Sequence, residues 1–108
     1  MRTHEILIEV RKLLDDPARH TTGAFARDKQ WANCEVGSRY ATQWCVMGAL
    51  EKVIAPGCEH SDRAYSFIYQ AISPTSLAWF NDHYSHDEVL AALDKAIALA
   101  EEAVDART

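Results

Sequence analysis

The first regular pattern along the chain is an apolar stripe. Ile6, Val10, Leu13 and Leu14 stand at the i, i+4, i+7, i+8 spacing that lines one face of a helix. Thr3 is a suitable N-cap for it, and Asp15-Asp16-Pro17 ends it, because proline has no N–H to continue the ladder. A second helical pattern runs from Tyr40 or Ala41 to Ile54, with Trp44, Met47, Leu50, Val53 and Ile54 as its apolar residues and Ala55-Pro56-Gly57 as its stop. Gly48 falls inside it. A mid-helix glycine costs roughly 1 kcal/mol relative to alanine, so the expected compensation is close approach of another element to that face, with the last helix as the candidate.

A third stripe, Ala64, Ile68, Ala71 and Ile72, is flanked by Tyr65, Phe67 and Tyr69 and predicts a helix from near Ser61 to Ser73-Pro74. Pro74 to Phe80 then reads as a short helical turn whose Leu77, Trp79 and Phe80 plug one end of the core. The last helix has the clearest start. Ser85-His86-Asp87-Glu88 is a capping box, with the serine oxygen on the N–H three residues on and the glutamate back on the serine N–H. Its stripe is Val89, Leu93, Ala96, Ile97, Ala100 and Val104.

The stretch from Ala18 to Arg39 has no sustained helical period and is longer than a structureless connection usually is. It reads as an irregular excursion, with a short β-hairpin pairing Gly23–Arg27 against Cys34–Tyr40 as one form. Together these patterns predict a mainly α fold: one compact bundle of about four helices over residues 1–108, with this excursion between the first and second helices.

Composition narrows the classes. The chain has 108 residues, 48% hydrophobic and 25% charged, enough for one core and too few for two. No apolar stretch is long enough for a signal peptide or a membrane span, so a cytoplasmic location and no membrane partner are the expectation. Cys34, Cys45 and Cys58 fit neither a disulfide framework nor paired CxxC knuckles and are expected to be reduced. The net charge of −5 comes from the end of the chain, where Asp82, Asp87, Glu88, Asp94, Glu101, Glu102 and Asp105 face only Lys95 and Arg107. Between Pro17 and Tyr40 the sign reverses: Arg19, Arg27, Lys29 and Arg39 are interleaved with Phe25, Trp31 and Tyr40.

Two strings carry a resemblance: Gln43-Trp44-Cys45-Val46-Met47-Gly48-Ala49-Leu50, and Ser76-Leu77-Ala78-Trp79-Phe80-Asn81-Asp82 followed by the capped helix from Ser85. In this order they resemble domain of unknown function 6197, a family of small bacterial and phage proteins with a Trp-Cys-x-x-Gly-Ala-Leu helix and a later Trp-Asn-Asp turn. The matching positions are Trp44, Cys45, Gly48, Ala49, Leu50, Asn81, Asp82 and Val89. The chain departs from the pattern in placing Phe80, not tryptophan, directly before Asn81. The resemblance implies a phage or prophage setting and carries no activity with it.

Candidate chemistry concentrates in Asn81-Asp82-His83-Tyr84-Ser85-His86-Asp87. Asp82, His83 and His86 are the alternative catalytic set, and His83 and His86 the alternative metal ligands. Against this, Asn81 and Asp82 are turn formers, Ser85 is a cap, and Asp87 and Glu88 suit a helix N-terminus. Cys58-Glu59-His60 lacks a second Cys/His pair at finger spacing. Cys45, near a helix start, has a nucleophile reading and a core-packing reading. Trp31, Arg27, Arg39, Asn81 and Asp82 are the candidate binding residues. Phe25 and Trp31 are expected to tuck into the core.

No glycine-rich phosphate loop, GxSxG elbow or HExxH helix is present, and no cofactor is implied. The preferred expectation is a non-enzymatic protein-interaction module, with a homodimer as one form of partnership. A small metal-dependent hydrolase using Asp82, His83 and His86 is the first alternative. A nucleic-acid accessory protein using residues 19–40 is the second, disfavoured by the acidic net charge.

Overall fold

A computed structural model of the chain describes residues 2–54 and 61–105. The predicted stop Ala55-Pro56-Gly57, the Cys58-Glu59-His60 triplet and the Val104 side chain lie outside the described residues. Within them the order is helix α1 (Thr3–Leu13), a 3-10 turn (Pro17–Arg19), strands β1 (Ala26–Asp28) and β2 (Ala41–Trp44), and helices α2 (Val46–Val53), α3 (Ser61–Ile72), α4 (Leu77–His83) and α5 (His86–Asp105).

The apolar stripes do what their spacing predicts. Helix α5 packs on α3 and α1, and α1 also touches α2. Ile6, Leu7, Val10 and Leu14 of the α1 segment meet Ala64, Ile68 and Ile72 of α3 and Val89, Leu93, Ala96 and Ala100 of α5 in one buried cluster. Each buried large aliphatic side chain contributes roughly 1.5–3 kcal/mol from area removed from water. Leu7 joins the buried face, with Leu13 half-buried against it, because α1 is wedged among three helices and needs a wider stripe than a single contact would.

The ends of the helices partly differ from expectation. The capping box of α5 forms as predicted: Glu88 N–H donates to Ser85 Oγ at 3.1 Å, and Ser85 N–H to Glu88 Oε1 at 3.0 Å. At α1 the N-cap is Arg2 rather than Thr3. Glu5 accepts the Arg2 N–H at 2.8 Å, and Thr3 is buried as the first helical residue. Among the described residues the helix count is five, not about four, because Ser76 caps a separate helix. Its Oγ accepts the Trp79 N–H at 3.3 Å. Leu77 and Phe80 of α4 are buried, but Trp79 is 57% exposed and does not plug the core.

The largest revision concerns the start of the second helix. Residues Ala41–Trp44 are a strand, and α2 begins at Val46, after Cys45. Cys45 is extended and its Sγ accepts the Gly48 N–H at 3.3 Å, so a thiol caps the helix. The hairpin exists with a different second strand: Ala26 pairs with Trp44, Arg27 with Gln43 and Asp28 with Ala41. The predicted pairing survives only in the Cys34 N–H bond to Ala26 O, next to an Arg27–Asn33 bridge just outside the predicted strand, on the other edge of β1. Gly48 is explained by this hairpin and not by α5. A Cβ there would lie 1.9 Å from the carbonyl oxygen of Phe25, which itself accepts the Cys45 N–H.

Candidate functional site

The corner where the excursion, the start of α2 and α4 meet is organised by one buried side chain, Asn81, which is 3% exposed. Its Oδ1 accepts the Val46 N–H at 3.0 Å, and its Nδ2 donates to Thr21 O at 3.1 Å and Asp82 Oδ1 at 3.2 Å. His20 Nε2 stands 2.8 Å from the same Oδ1. Because a backbone N–H already identifies that atom as the oxygen, His20 must carry its proton on Nε2 and donate. All four hydrogen-bonding places of the amide are then filled, as a buried polar group requires. Asp82, exposed beside it, accepts the Gly23 N–H at 3.2 Å, so adjacent residues of α4 grip the excursion at two points.

Arg27 extends the network outward. It donates from Nε to Thr21 Oγ1 at 3.1 Å, from Nη1 to Trp31 O at 3.1 Å and Asn33 Oδ1 at 2.8 Å, and from Nη2 to Thr22 O at 3.2 Å. Its guanidinium lies 4.9 Å from the centre of the Trp31 ring. Trp31 has φ 68°, the left-handed region in which a bulky residue is uncommon. The turn that holds it there is closed by the Trp31 N–H on Asp28 O, and by the Asp28 carboxylate on the N–H groups of Gln30 and Ala32. Phe25 and Trp31 are 48% and 56% exposed, contrary to the expectation that they tuck into the core. Cross-strand and turn hydrogen bonds set the direction of both side chains, and those bonds outrank the area two rings would bury.

Four of the five candidate binding residues, Trp31, Arg27, Asn81 and Asp82, therefore belong to one connected network. Arg39 stands apart, donating to Tyr40 Oη at 2.8 Å with its guanidinium over that ring. The alternative catalytic residues are directed to different partners. Asp82 faces Gly23 and Asn81, and His83 Nδ1 donates to Trp79 O at 3.0 Å with its ring stacked on Trp79. His86 Nε2 donates to Leu14 O at 2.6 Å, capping the end of α1. Among the described residues no group of three or more His, Cys, Asp and Glu side chains is placed to hold one metal ion.

Cys45, Asn81 and Asp82 line a cavity of about 140 Å³ together with Phe25, Met47 and Leu77. Burial pushes the Cys45 thiol up from its ordinary value, outweighing the helix N–H groups that favour a thiolate, and Asp82 adds to the rise. A buried protonated thiol matches the packing role of Cys45 rather than that of a nucleophile. His20 is shifted the other way. Burial lowers its proton affinity, Asn81 partly restores it, and the neighbouring His86 lowers it again.

A family model described as "Family of unknown function (DUF6197)" matches residues 1–99. The chain belongs to this family. No curated protein and no solved structure matches it. In this DUF6197 chain the Trp44–Leu50 string is the β2–α2 junction: Trp44 ends the strand, Cys45 caps the helix and Gly48 admits Phe25 O. Asn81 ties α4 to that junction through Val46. His20 and Thr21 were not singled out from the sequence. They sit in an aperiodic stretch, where a lone histidine beside two threonines carries no spacing signal.

Proposed function

We propose that this chain is a non-enzymatic protein-interaction module that presents Trp31 on a rigid turn to a protein partner. The observation that carries the reading is the combination of strain and exposure at Trp31. A left-handed conformation costs a non-glycine residue about 1–2 kcal/mol, and glycine is the ordinary residue at such a hairpin position. An indole left in water there gains the fold little beyond its contact with the Arg27 guanidinium, whereas tryptophan with a neighbouring arginine is the typical anchor of a protein interface. Backbone outliers of this kind concentrate where a side chain must be held for contact.

The same network weighs against nucleic acid as the partner. Four of the five N–H donors of Arg27 are occupied by the chain itself, which leaves no free fork for a phosphate. Tyr40, 62% exposed beneath Arg39, offers a second aromatic contact near Lys29 and Gln30.

The test uses Trp31→Gly, which removes the anchor and relieves the strain together. Quantitative affinity purification from the source cells compares it with the unaltered chain, and light scattering of the pure protein reports self-association. The reading predicts at least one protein, or the second copy of a homodimer, lost with Trp31→Gly while the melting temperature holds. Identical co-purifying proteins and identical mass for both chains would reject it, and salt-sensitive binding of DNA or RNA lost with Lys29→Ala would install the nucleic-acid reading instead.

A further inference from the structure

His20 and His86 come from opposite ends of the sequence, and their rings face each other with centroids 5.7 Å apart and planes tilted by 46°. Both are half-buried, so water reaches them. Each has its Nε2 committed to a fixed oxygen: Asn81 Oδ1 for His20 at 2.8 Å, and Leu14 O for His86 at 2.6 Å. Those oxygens can only accept. Asn81 Oδ1 is identified by the Val46 N–H it also receives, and Leu14 O is a backbone carbonyl. In the neutral rings the proton is thus on Nε2, and both Nδ1 atoms carry a lone pair with no hydrogen-bond partner among the described residues.

We propose that His20 and His86 form a two-imidazole site for a divalent transition-metal ion such as Zn²⁺, ligated through their Nδ1 atoms with water completing the coordination. Three features carry it. A ligating histidine characteristically donates its other ring N–H to a carbonyl or comparable acceptor, which fixes the tautomer and the ring direction; here both rings are held that way before any ion arrives. The spacing is also right. With metal–nitrogen bonds of about 2.0–2.1 Å, two imidazoles whose Nδ1 atoms both bind one tetrahedral ion would have centroids about 5 Å apart, and the 5.7 Å seen here is reached once the N–metal–N angle opens to about 125°.

The charges agree as well. Asp82 is close enough to act electrostatically on the His20 ring, and a carboxylate that favours a proton there also favours a bound cation. Two imidazoles and water suit zinc, copper or nickel and give the hard ions magnesium and calcium little to bind. This pair differs from the Asp82, His83 and His86 set weighed from the sequence, since His83 is turned onto Trp79. It does not depend on Trp31 or on a protein partner.

The experiment is calorimetric titration of the full chain with Zn²⁺ in a Cys34→Ser, Cys58→Ser background, which leaves only the buried Cys45 among the thiols. His20→Gln and His86→Gln each keep a side-chain N–H donor for Asn81 or Leu14 while removing the lone pair. The site predicts one Zn²⁺ per chain, an affinity at least tenfold weaker in either glutamine variant and unchanged in His83→Ala. Nitrogen NMR of the imidazoles should show Nδ1, and not Nε2, moving on zinc addition. Absence of one-to-one binding, binding that survives either glutamine variant, or binding lost in His83→Ala would overturn the proposal.

Discussion

The helical side of the molecule and the corner built around Asn81 are held together by different physics. Helices α1, α3 and α5 meet through aliphatic side chains, whose attraction is non-directional and proportional to the area removed from water. Many sequences with the same stripe would pack that way. The corner instead depends on directed bonds from Asn81, His20, Arg27 and Asp82 to named backbone atoms. A core of the first kind tolerates conservative change. A network of the second kind fails when one member cannot complete its bonds.

The greatest contrast should come from Leu93→Ala against Asn81→Leu. Leu93 is 1% exposed in the core, and its truncation should cost about 2–5 kcal/mol by loss of burial and creation of a cavity. Chemical denaturation should show one cooperative transition at lower denaturant. Asn81→Leu adds apolar volume yet should destabilise by about 3 kcal/mol, because Val46 N–H, Thr21 O and His20 lose their partner. Hydrogen exchange should place its damage at the corner, with α3 and α5 still protected. Uniform loss of protection across the chain would erase the distinction between the two regions.

Gly48→Ala is next, with an expected cost of about 3 kcal/mol, since the new Cβ meets the Phe25 backbone rather than a flexible side chain. The same change in an exposed helix interior would stabilise. A neutral or stabilised Gly48→Ala protein, read by thermal denaturation, would mean that the hairpin does not press on α2.

pH separates the regions more gently. Burial holds the folded-state pKa of His20 below its ordinary 6.5, so the unfolded chain binds the proton more readily than the folded one. The contribution of neutral His20 is therefore complete above that value, and it is lost as pH falls from 6.5 through the lower folded-state pKa. Stability of the unaltered chain should decline over this window more than that of His20→Gln; equal declines would show that His20 is not the titrating group. The smallest effect is expected for Ser85→Ala, about 1 kcal/mol from loss of the α5 cap, with no change in protection at Thr21 or Val46.

Legibility in the sequence follows the same division. The stripes of α1, α3 and α5 and the Ser85–Glu88 box were readable because helical period and capping are local properties of the chain. Gly48 was readable as a close approach, but not what approached it. The Tyr40–Trp44 stretch read as helix, because Trp44 stands at a helical distance from Met47; the choice of strand was made by Ala26 and Arg27, which are remote in sequence. Among the site residues, Asn81 and Asp82 were named from the polar cluster and the family resemblance, although their expected turn is the last part of helix α4, and Arg27 and Trp31 from the basic, aromatic character of their segment. That these four share one network depends on Thr21, Thr22 and Gly23, whose carbonyls, hydroxyl and N–H have no signature.

By itself the sequence determined the mainly helical class, the helix bearing the capping box, the close contact at Gly48 and membership of DUF6197. Periodicity, caps and motif strings are written within about twenty consecutive residues. Only the tertiary structure decided that β2 precedes α2, that Asn81 fills all its bonds between three segments, that Trp31 is exposed, and that His20 faces His86. Each of those depends on a hydrogen bond or ring contact between residues far apart in the chain, or on the turn geometry such bonds enforce, and chain separation leaves no periodic trace of either.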